Sequence, residues 1–208
     1  MTRTTLSLLA GTAALGFFLN VQSLAAETIA PVALPEAYEG TAPAVLPSTW
    51  VLVPSMDAEG KAILNADGTP AMSMVDITAT DDGEETHSVV PGNTVIYEFA
   101  VANPTDAPLD NINLTSAFPA NLALDAASFS GPEGMLVAFS TSEKPDTWFQ
   151  IYPAPPEADR GEMPSLDAIA NLRVTVPQVP VDTQALVSYA AVVRQGTTAT
   201  TNPTLESE

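Results

Sequence analysis

The run at 91–103 constrains this chain most, because its side chains alternate with a period of two between two turns. One side of the run carries the large apolar residues Val95, Tyr97, Phe99 and Val101. Such alternation is typical of a β-strand that buries one face and leaves the other near solvent. The run therefore predicts an antiparallel sheet with one face packed on a core.

Other short apolar segments lie between clusters of proline, glycine, aspartate and asparagine, which is the pattern of short strands joined by turns. The predicted strands cover 50–53, 61–64, 72–75, 94–102, 112–117, a segment starting at 122, 135–139, 148–152, 172–176 and 185–193. A single helical turn is expected at 166–170, and no segment has the pattern of a long amphipathic helix. These strands predict an all-β fold, an Ig-like antiparallel β-sandwich with an N-terminal β extension. Tyr97, Phe99, Ile112, Leu114, Val187 and Tyr189 are predicted to share its core.

The N-terminus has the pattern of a signal peptide. Arg3 precedes a mostly apolar run at 6–21, and Ser23-Leu24-Ala25 places small residues where a signal peptidase cleaves. The apolar run is shorter than the roughly 20 residues that a spanning helix needs. We therefore expect cleavage before Ala26, a periplasmic or secreted mature protein, and no membrane span in the mature chain.

Composition shifts along the chain predict its organisation. Proline recurs between Ala26 and Pro47, which disfavours helices and sheet interiors alike. The predicted divisions are a signal peptide at 1–25, a Pro/Ala-rich extended lead-in at 26–47, a sandwich domain at 48–194 and a disordered tail at 195–208. Within the sandwich, 48–88 supplies N-terminal strands and 89–194 supplies the main core.

The charge balance narrows the classes of partner. Asp and Glu number 25 against 6 Lys and Arg, a formal net charge of -19. Phosphate backbones are bound through Lys and Arg, so the balance argues against a nucleic-acid partner. It also argues against docking on an anionic membrane surface. The partner expected from the sequence is an unidentified envelope protein or a polysaccharide.

The residues that could support catalysis or metal binding are few. There is no cysteine, which excludes disulfides and thiolate sites, and His87 is the only histidine. His87 lies near the acidic loop that contains Asp81, Asp82, Glu84 and Glu85, whose carboxylates are ligands suited to calcium. The oxygen-rich turns at 57–60 and 65–68 share this chemistry but lack EF-hand spacing. Turn conformation is the simpler reason for such residues.

Aromatic residues cluster in one predicted strand. Trp148 and Tyr152 fall on one side of it and Phe149 on the other, if the strand is regular. Trp148 and Tyr152 are therefore the candidate ligand- or partner-binding residues, through stacking on a sugar or a protein side chain. Core and edge packing is the alternative role for these aromatics.

Several of these segments together resemble the bacterial repeat domain known as "domain of unknown function eleven". The resemblance is carried by Pro91-Gly92-Asn93-Thr94-Val95, Tyr97, Phe99, Val101, Asn103, Ile112, Leu114, Phe118-Pro119, Leu172-Arg173-Val174, Val187, Tyr189, Ala191 and Val193. It covers roughly 89–194 in a single copy. The resemblance implies an Ig-like β-sandwich on a secreted or surface protein and implies no catalytic residues.

The function expected from the sequence is that of a non-enzymatic structural or binding module of the bacterial envelope, with no catalytic residue and no cofactor. Two alternatives stay open. One is a calcium-stabilised surface adhesion module that uses the acidic loop at 81–85. The other is a metal-assisted hydrolase that uses His87 together with the same loop.

Overall fold

The computed structural model describes residues 27–36, 38–78, 89–157, 163–195 and 205–206. Its strands are β1 (Glu27–Thr28), β2 (Val32–Ala33), β3 (Ala44–Pro54), β4 (Met72–Asp76), β5 (Thr94–Asn103), β6 (Leu109–Ala117), β7 (Leu122–Gly131), β8 (Leu136–Thr141), β9 (Phe149–Tyr152), β10 (Ile169–Val179), β11 (Thr183–Val193) and β12 (Leu205–Glu206). A 3₁₀ turn at Leu166–Ala168 occupies the position of the predicted helical turn. No helix among these residues is long and apolar enough to cross a membrane.

The strands form two sheets. The larger sheet has the order β1-β7-β11-β5-β3-β4, with β2 beside β11, and the smaller sheet has the order β12-β6-β10-β8-β9. Neighbouring strands are antiparallel except for the short β1–β7 pair. The two sheets enclose one core, which confirms the predicted all-β antiparallel sandwich.

The core lies between the sheets and is built by the predicted alternation. Tyr97 and Phe99 of β5 are paired with Tyr189 and Val187 of β11, and all four are buried. Leu114 is buried on the facing sheet and Ile112 packs against the same cluster. The six residues predicted to share a core do so. Phe129 and Phe139 add two fully buried rings that fill the centre.

The N-terminal strands differ from the prediction in two ways. β3 begins at Ala44, inside the proline-rich stretch predicted to precede the sandwich. Its first half, which includes Pro47, pairs with β5 only, and β4 pairs with β3 from Trp50 onward. At Pro47, β3 is therefore an edge strand with no residue of β4 beside it, and proline is tolerated in edge strands because its missing N–H breaks no ladder there. The predicted strand at 61–64 is wrong: these residues make only isolated bridges.

Two tight turns explain that missing strand. Gly60 donates its N–H to the carbonyl of Asp57, and Gly68 donates to that of Asn65. Both glycines have positive φ, at 77° and 83°. Glycine adopts this region at little cost, so the chain reverses twice before a regular ladder can extend.

Candidate functional site at the edge of the smaller sheet

The predicted calcium and hydrolase residues lie outside the described residues. Asp81, Asp82, Glu84, Glu85 and His87 all fall in the segment 79–88. In the part of the chain that is described, no group of three or more His, Cys, Asp or Glu residues comes together as a metal site would require. The predictions for the acidic loop therefore stay predictions.

The two other oxygen-rich turns use their carboxylates on their own backbone. Asp57 Oδ1 accepts hydrogen bonds from the N–H groups of Glu59 and Lys61, at 3.1 and 2.8 Å. Asp67 Oδ1 accepts from the hydroxyl and the N–H of Thr69, at 2.6 and 2.9 Å. These bonds, that from the Thr69 hydroxyl foremost, lower the pKa of Asp67. Both carboxylates act as turn formers, as aspartate often does.

Trp148 lies just before β9, at the outer edge of the smaller sheet. The guanidinium carbon of Arg173, on β10, stands 3.8 Å from the centre of the Trp148 ring. Cation–π contact at this distance fixes the indole by electrostatic attraction to the ring face. Arg173 therefore packs against the face of the Trp148 indole, a contact that no sequence pattern in β10 indicated.

The structure separates Trp148 from Tyr152. In β9, Gln150 is opposite Ala138 and Tyr152 is opposite Val137, so Ile151 is an additional residue in the ladder. This irregularity breaks the period of two and turns Tyr152 toward the core. Its ring packs 5.8 Å from that of Phe129, centroid to centroid. Tyr152 is thus a packing residue, while Trp148 stays at the surface.

A cleft of about 470 Å³ opens beside Trp148. Its lining combines apolar side chains with polar atoms and consists of Trp148, Phe149, Gln150, Pro153, Ala154, Pro155, Pro156 and Met163. Gln150 donates its side-chain amide to the carbonyl of Pro153 at 2.9 Å, which ties the proline segment to β9. The Tyr152–Pro153 peptide bond is cis. Clefts of this size that combine apolar walls with a few polar groups are typical binding sites.

The floor of the cleft is anchored in the core. The Phe149 ring packs at a tilt against that of Phe139, which is fully buried, with 5.5 Å between the ring centroids. The Lys144 ammonium lies 5.9 Å from the centre of the Phe149 ring. A wall fixed to the core in this way is preorganised, so binding needs little rearrangement of it.

Two tyrosines in the core also have perturbed pKa values. The rings of Tyr97 and Tyr189 stack at 5.1 Å, and Ser116 forms a hydrogen bond with the Tyr189 hydroxyl. The Tyr97 hydroxyl has no hydrogen-bond partner among the described residues. Burial raises the pKa of Tyr97 to about 12 and raises that of Tyr189 as well. Both phenols therefore stay protonated at neutral pH and serve the core.

Asn103, the last residue of β5, has a buried side chain. The sequence indicated only that a turn begins near this residue. Asn103 donates its amide to the carbonyls of Ala107, Val179 and Pro180, at 2.9, 3.0 and 3.2 Å. Its Oδ1 accepts from the hydroxyl and the N–H of Thr105. One side chain thus joins the loop after β5 to the connection between β10 and β11, which is a structural role.

The chain matches no protein-family model, no curated protein and no solved structure. The resemblance to the "domain of unknown function eleven" repeats therefore stays a prediction, and function has to be argued from the sandwich and its surfaces.

Proposed function

We propose that this chain is a non-enzymatic binding module of the bacterial envelope, periplasmic or secreted, that holds an extended segment of another envelope protein along β9. The observation that carries the proposal is the cleft at Trp148, which lies against the last strand of the smaller sheet. An extended peptide can add to such an edge through main-chain hydrogen bonds, while pockets select its side chains.

The chemistry of the cleft supports a peptide over a catalytic reaction. Trp148, Met163 and the prolines present apolar surface, and Arg173 holds the indole in place. A rigid aromatic anchor loses little conformational entropy when it binds a partner. Glycans also stack on tryptophan, but the cleft wall contributes few polar side chains for sugar hydroxyl groups, so a peptide is the better fit.

The proposed periplasmic or secreted location is inferred from the N-terminal sequence. The basic, apolar and small-residue pattern of residues 2–25 predicts export with removal of the leader. Intact-mass measurement of the protein recovered from the host should give a chain that starts near Ala26. A full-length mass retained with the membrane fraction would contradict export as a cleaved protein.

Photo-crosslinking in the native host tests the binding site. Met163 would be replaced by p-benzoylphenylalanine to place the reactive group in the cleft, and Val181 would be replaced in the same way as a control. Val181 is exposed in the turn between β10 and β11, away from the cleft lining. We expect a discrete protein adduct from position 163 only, and its loss when Trp148→Ala is added.

Three outcomes would contradict this proposal. No adduct from position 163, or identical adducts from both positions, would remove the cleft as a protein-binding site. An adduct whose extra mass disappears on digestion with polysaccharide hydrolases would identify a glycan as the ligand. In that case the cleft would remain a binding site, but the proposed peptide ligand would be wrong.

A further inference from the structure

The larger sheet has an apolar outer face, defined here by the residues of β3, β4, β5 and β11 that point away from the core. Leu52, Ile96 and Ala190 form a buried cluster on this face, separate from the core, with Trp50 packed against it. Around the cluster, Leu46, Met74 and Val192 are exposed by 40, 42 and 39%. Apolar patches that extend over several strands of a soluble protein commonly mark interaction sites.

A carboxylate lies at the centre of this outer face. Glu98 on β5 is paired with Ser48 on β3 and with Ser188 on β11, so a row of polar residues crosses the apolar surface. On either side of Glu98 along β5 are Ile96 and Ala100, both buried. Glu98 itself is half-buried, and this burial raises the pKa of its carboxyl group. A carboxylate with restricted access to water gains most from a cationic partner.

The other charges on the outer face have the same sign. Asp76 of β4 is opposite Trp50, and Asp125 lies next to the outer face on the neighbouring strand β7, opposite Ala190; both are exposed. Within the described parts of β3, β4, β5 and β11, no outward position holds Lys, Arg or His. The face thus combines apolar surface with negative charge, and a complementary surface would combine apolar side chains with positive charge.

We infer that the outer face of the larger sheet binds another protein through a Lys or Arg side chain that reaches Glu98, with flanking apolar side chains that cover Trp50 and Leu46. Ser48 and Ser188 stand beside Glu98 and supply hydroxyl groups that can accept further N–H bonds from the same cation. This surface is on the opposite side of the sandwich from the smaller sheet, and the inference does not depend on the β9 cleft.

Two other occupants fit the charges less well. A symmetric second copy would bring the Glu98 of each molecule toward the other in an apolar contact, where like charges repel strongly. The second alternative is a segment of the same chain, but such a segment would bring few cations, since outside the described residues the sequence has only Arg3 and Arg160. A basic partner protein is therefore the occupant that the face favours.

The inference can be tested with a synthetic probe, because no partner is identified. The probe is a fluorescent eight-residue peptide of alternating lysine and leucine, and anisotropy titration of the full chain measures its binding at pH 7. A lysine–serine peptide of the same length reports charge alone. Glu98→Gln should weaken binding of the lysine–leucine probe about tenfold, the effect of losing one charge-assisted bond. Glu133→Gln, which removes a charge from an exposed turn, should change the affinity less than about twofold.

Leu46→Ser tests the apolar part of the same contact, and it should weaken the lysine–leucine probe several-fold while leaving the lysine–serine peptide unchanged. Equal losses for Glu98→Gln and Glu133→Gln would mean that only net charge attracts the probe, and would overturn the inference. So would unaltered binding by Glu98→Gln, or dimerisation in sedimentation equilibrium that Leu46→Ser abolishes. Trp148→Ala should not alter probe binding, so failure here is distinct from failure at the β9 cleft.

Discussion

The two sheets of the sandwich differ most on the faces that they turn away from the core. On the smaller sheet, polar side chains of neighbouring strands form hydrogen bonds with one another. The Thr175 hydroxyl donates to Asn113 Oδ1 at 2.7 Å, and the Asn171 amide donates to the Ser140 hydroxyl at 3.1 Å. The larger sheet carries apolar rows and Glu98 in the equivalent layer. The polar side chains on the outer face of the smaller sheet thus bond to one another, whereas the outer face of the larger sheet, in the described part of the chain, leaves apolar side chains and a carboxylate without such pairing across its strands.

In this comparison the inner face of β5 packs in the core, and the outer face is the one that we propose contacts another protein. A test of the first half is to remove the largest inward side chain of β5. Phe99→Ala should reduce the free energy of unfolding by about 3–5 kcal/mol, because it leaves a cavity in a tightly packed core. Urea unfolding followed by circular dichroism measures the loss.

The matched change on the outer face is Leu46→Ala, since Leu46 on β3 is exposed. It should cost less than about 1 kcal/mol, as surface substitutions usually do. Similar losses for Phe99→Ala and Leu46→Ala would mean that the two faces of the larger sheet are equally important to folding, contrary to this account.

The second prediction concerns Asn103, whose side-chain amide donates to the carbonyls of Ala107, Val179 and Pro180; the bond to Val179 is buried and the other two are partly buried. Asn103→Ala should cost about 2–4 kcal/mol, because the buried Val179 carbonyl and two partly buried carbonyls lose their donor. Asn113→Ala on the exposed face of β6 loses two solvent-exposed bonds, one with the Thr175 hydroxyl and one with the Asn111 carbonyl, and should cost less than about 1 kcal/mol. A small loss for Asn103→Ala would show that water replaces the amide.

The third prediction separates the two buried tyrosines. Tyr189→Phe should destabilise the fold by about 1 kcal/mol, since it removes the bond with Ser116. Tyr97→Phe should be neutral or stabilising by about 1 kcal/mol, because it removes a buried hydroxyl that no described residue satisfies. Thermal unfolding of the two variants side by side measures both changes in stability. A larger loss of stability for Tyr97→Phe than for Tyr189→Phe would contradict the prediction.

The smallest effect is expected from the pH dependence of Glu98. Burial raises its pKa above the ordinary 4.5 in the folded chain, so the folded state keeps this proton at pH values where the unfolded chain has lost it. Stability therefore falls as the pH rises through that range. Glu98→Gln should be slightly more stable than the original chain at pH 7, by less than about 1 kcal/mol. The difference should vanish near pH 4.

Glu133→Gln serves as the control for that experiment, because it removes one charge from an exposed turn and leaves the outer face intact. Unfolding curves at pH 4 and pH 7 for both variants measure the two differences. A gain from Glu98→Gln that is larger at pH 4 than at pH 7 would have the wrong sign for a buried carboxylate.

The sequence predicted the core better than the surfaces. Period two placed Tyr97 and Phe99 on the inner face of β5, because the alternation of a strand is local information. It did not predict that Glu98 lies between Ser48 and Ser188, since that row depends on the register of three strands that are far apart in the chain. Register is set by the whole fold, so no local pattern contains it.

The candidate site was predicted in part for the same reason. Trp148 was a candidate binding residue and does line the cleft, whereas Tyr152 turns inward because Ile151 is an additional residue opposite β8. Such an irregularity leaves no clear mark on a short aromatic segment. The position of Arg173 over Trp148 also depends on sheet order, which brings β10 near β9 through β8.

The most direct test of the difference between the two outer faces is a residue-resolved one. Titration of the ¹⁵N-labelled chain with the lysine–leucine peptide, followed by amide chemical shifts, compares the two sheets in one sample. We predict that the perturbed amides map to Ser48, Glu98 and Ser188, and that those of Asn113 and Thr175 stay unchanged. Perturbations that are equal on both sheets, or confined to the smaller one, would contradict the account.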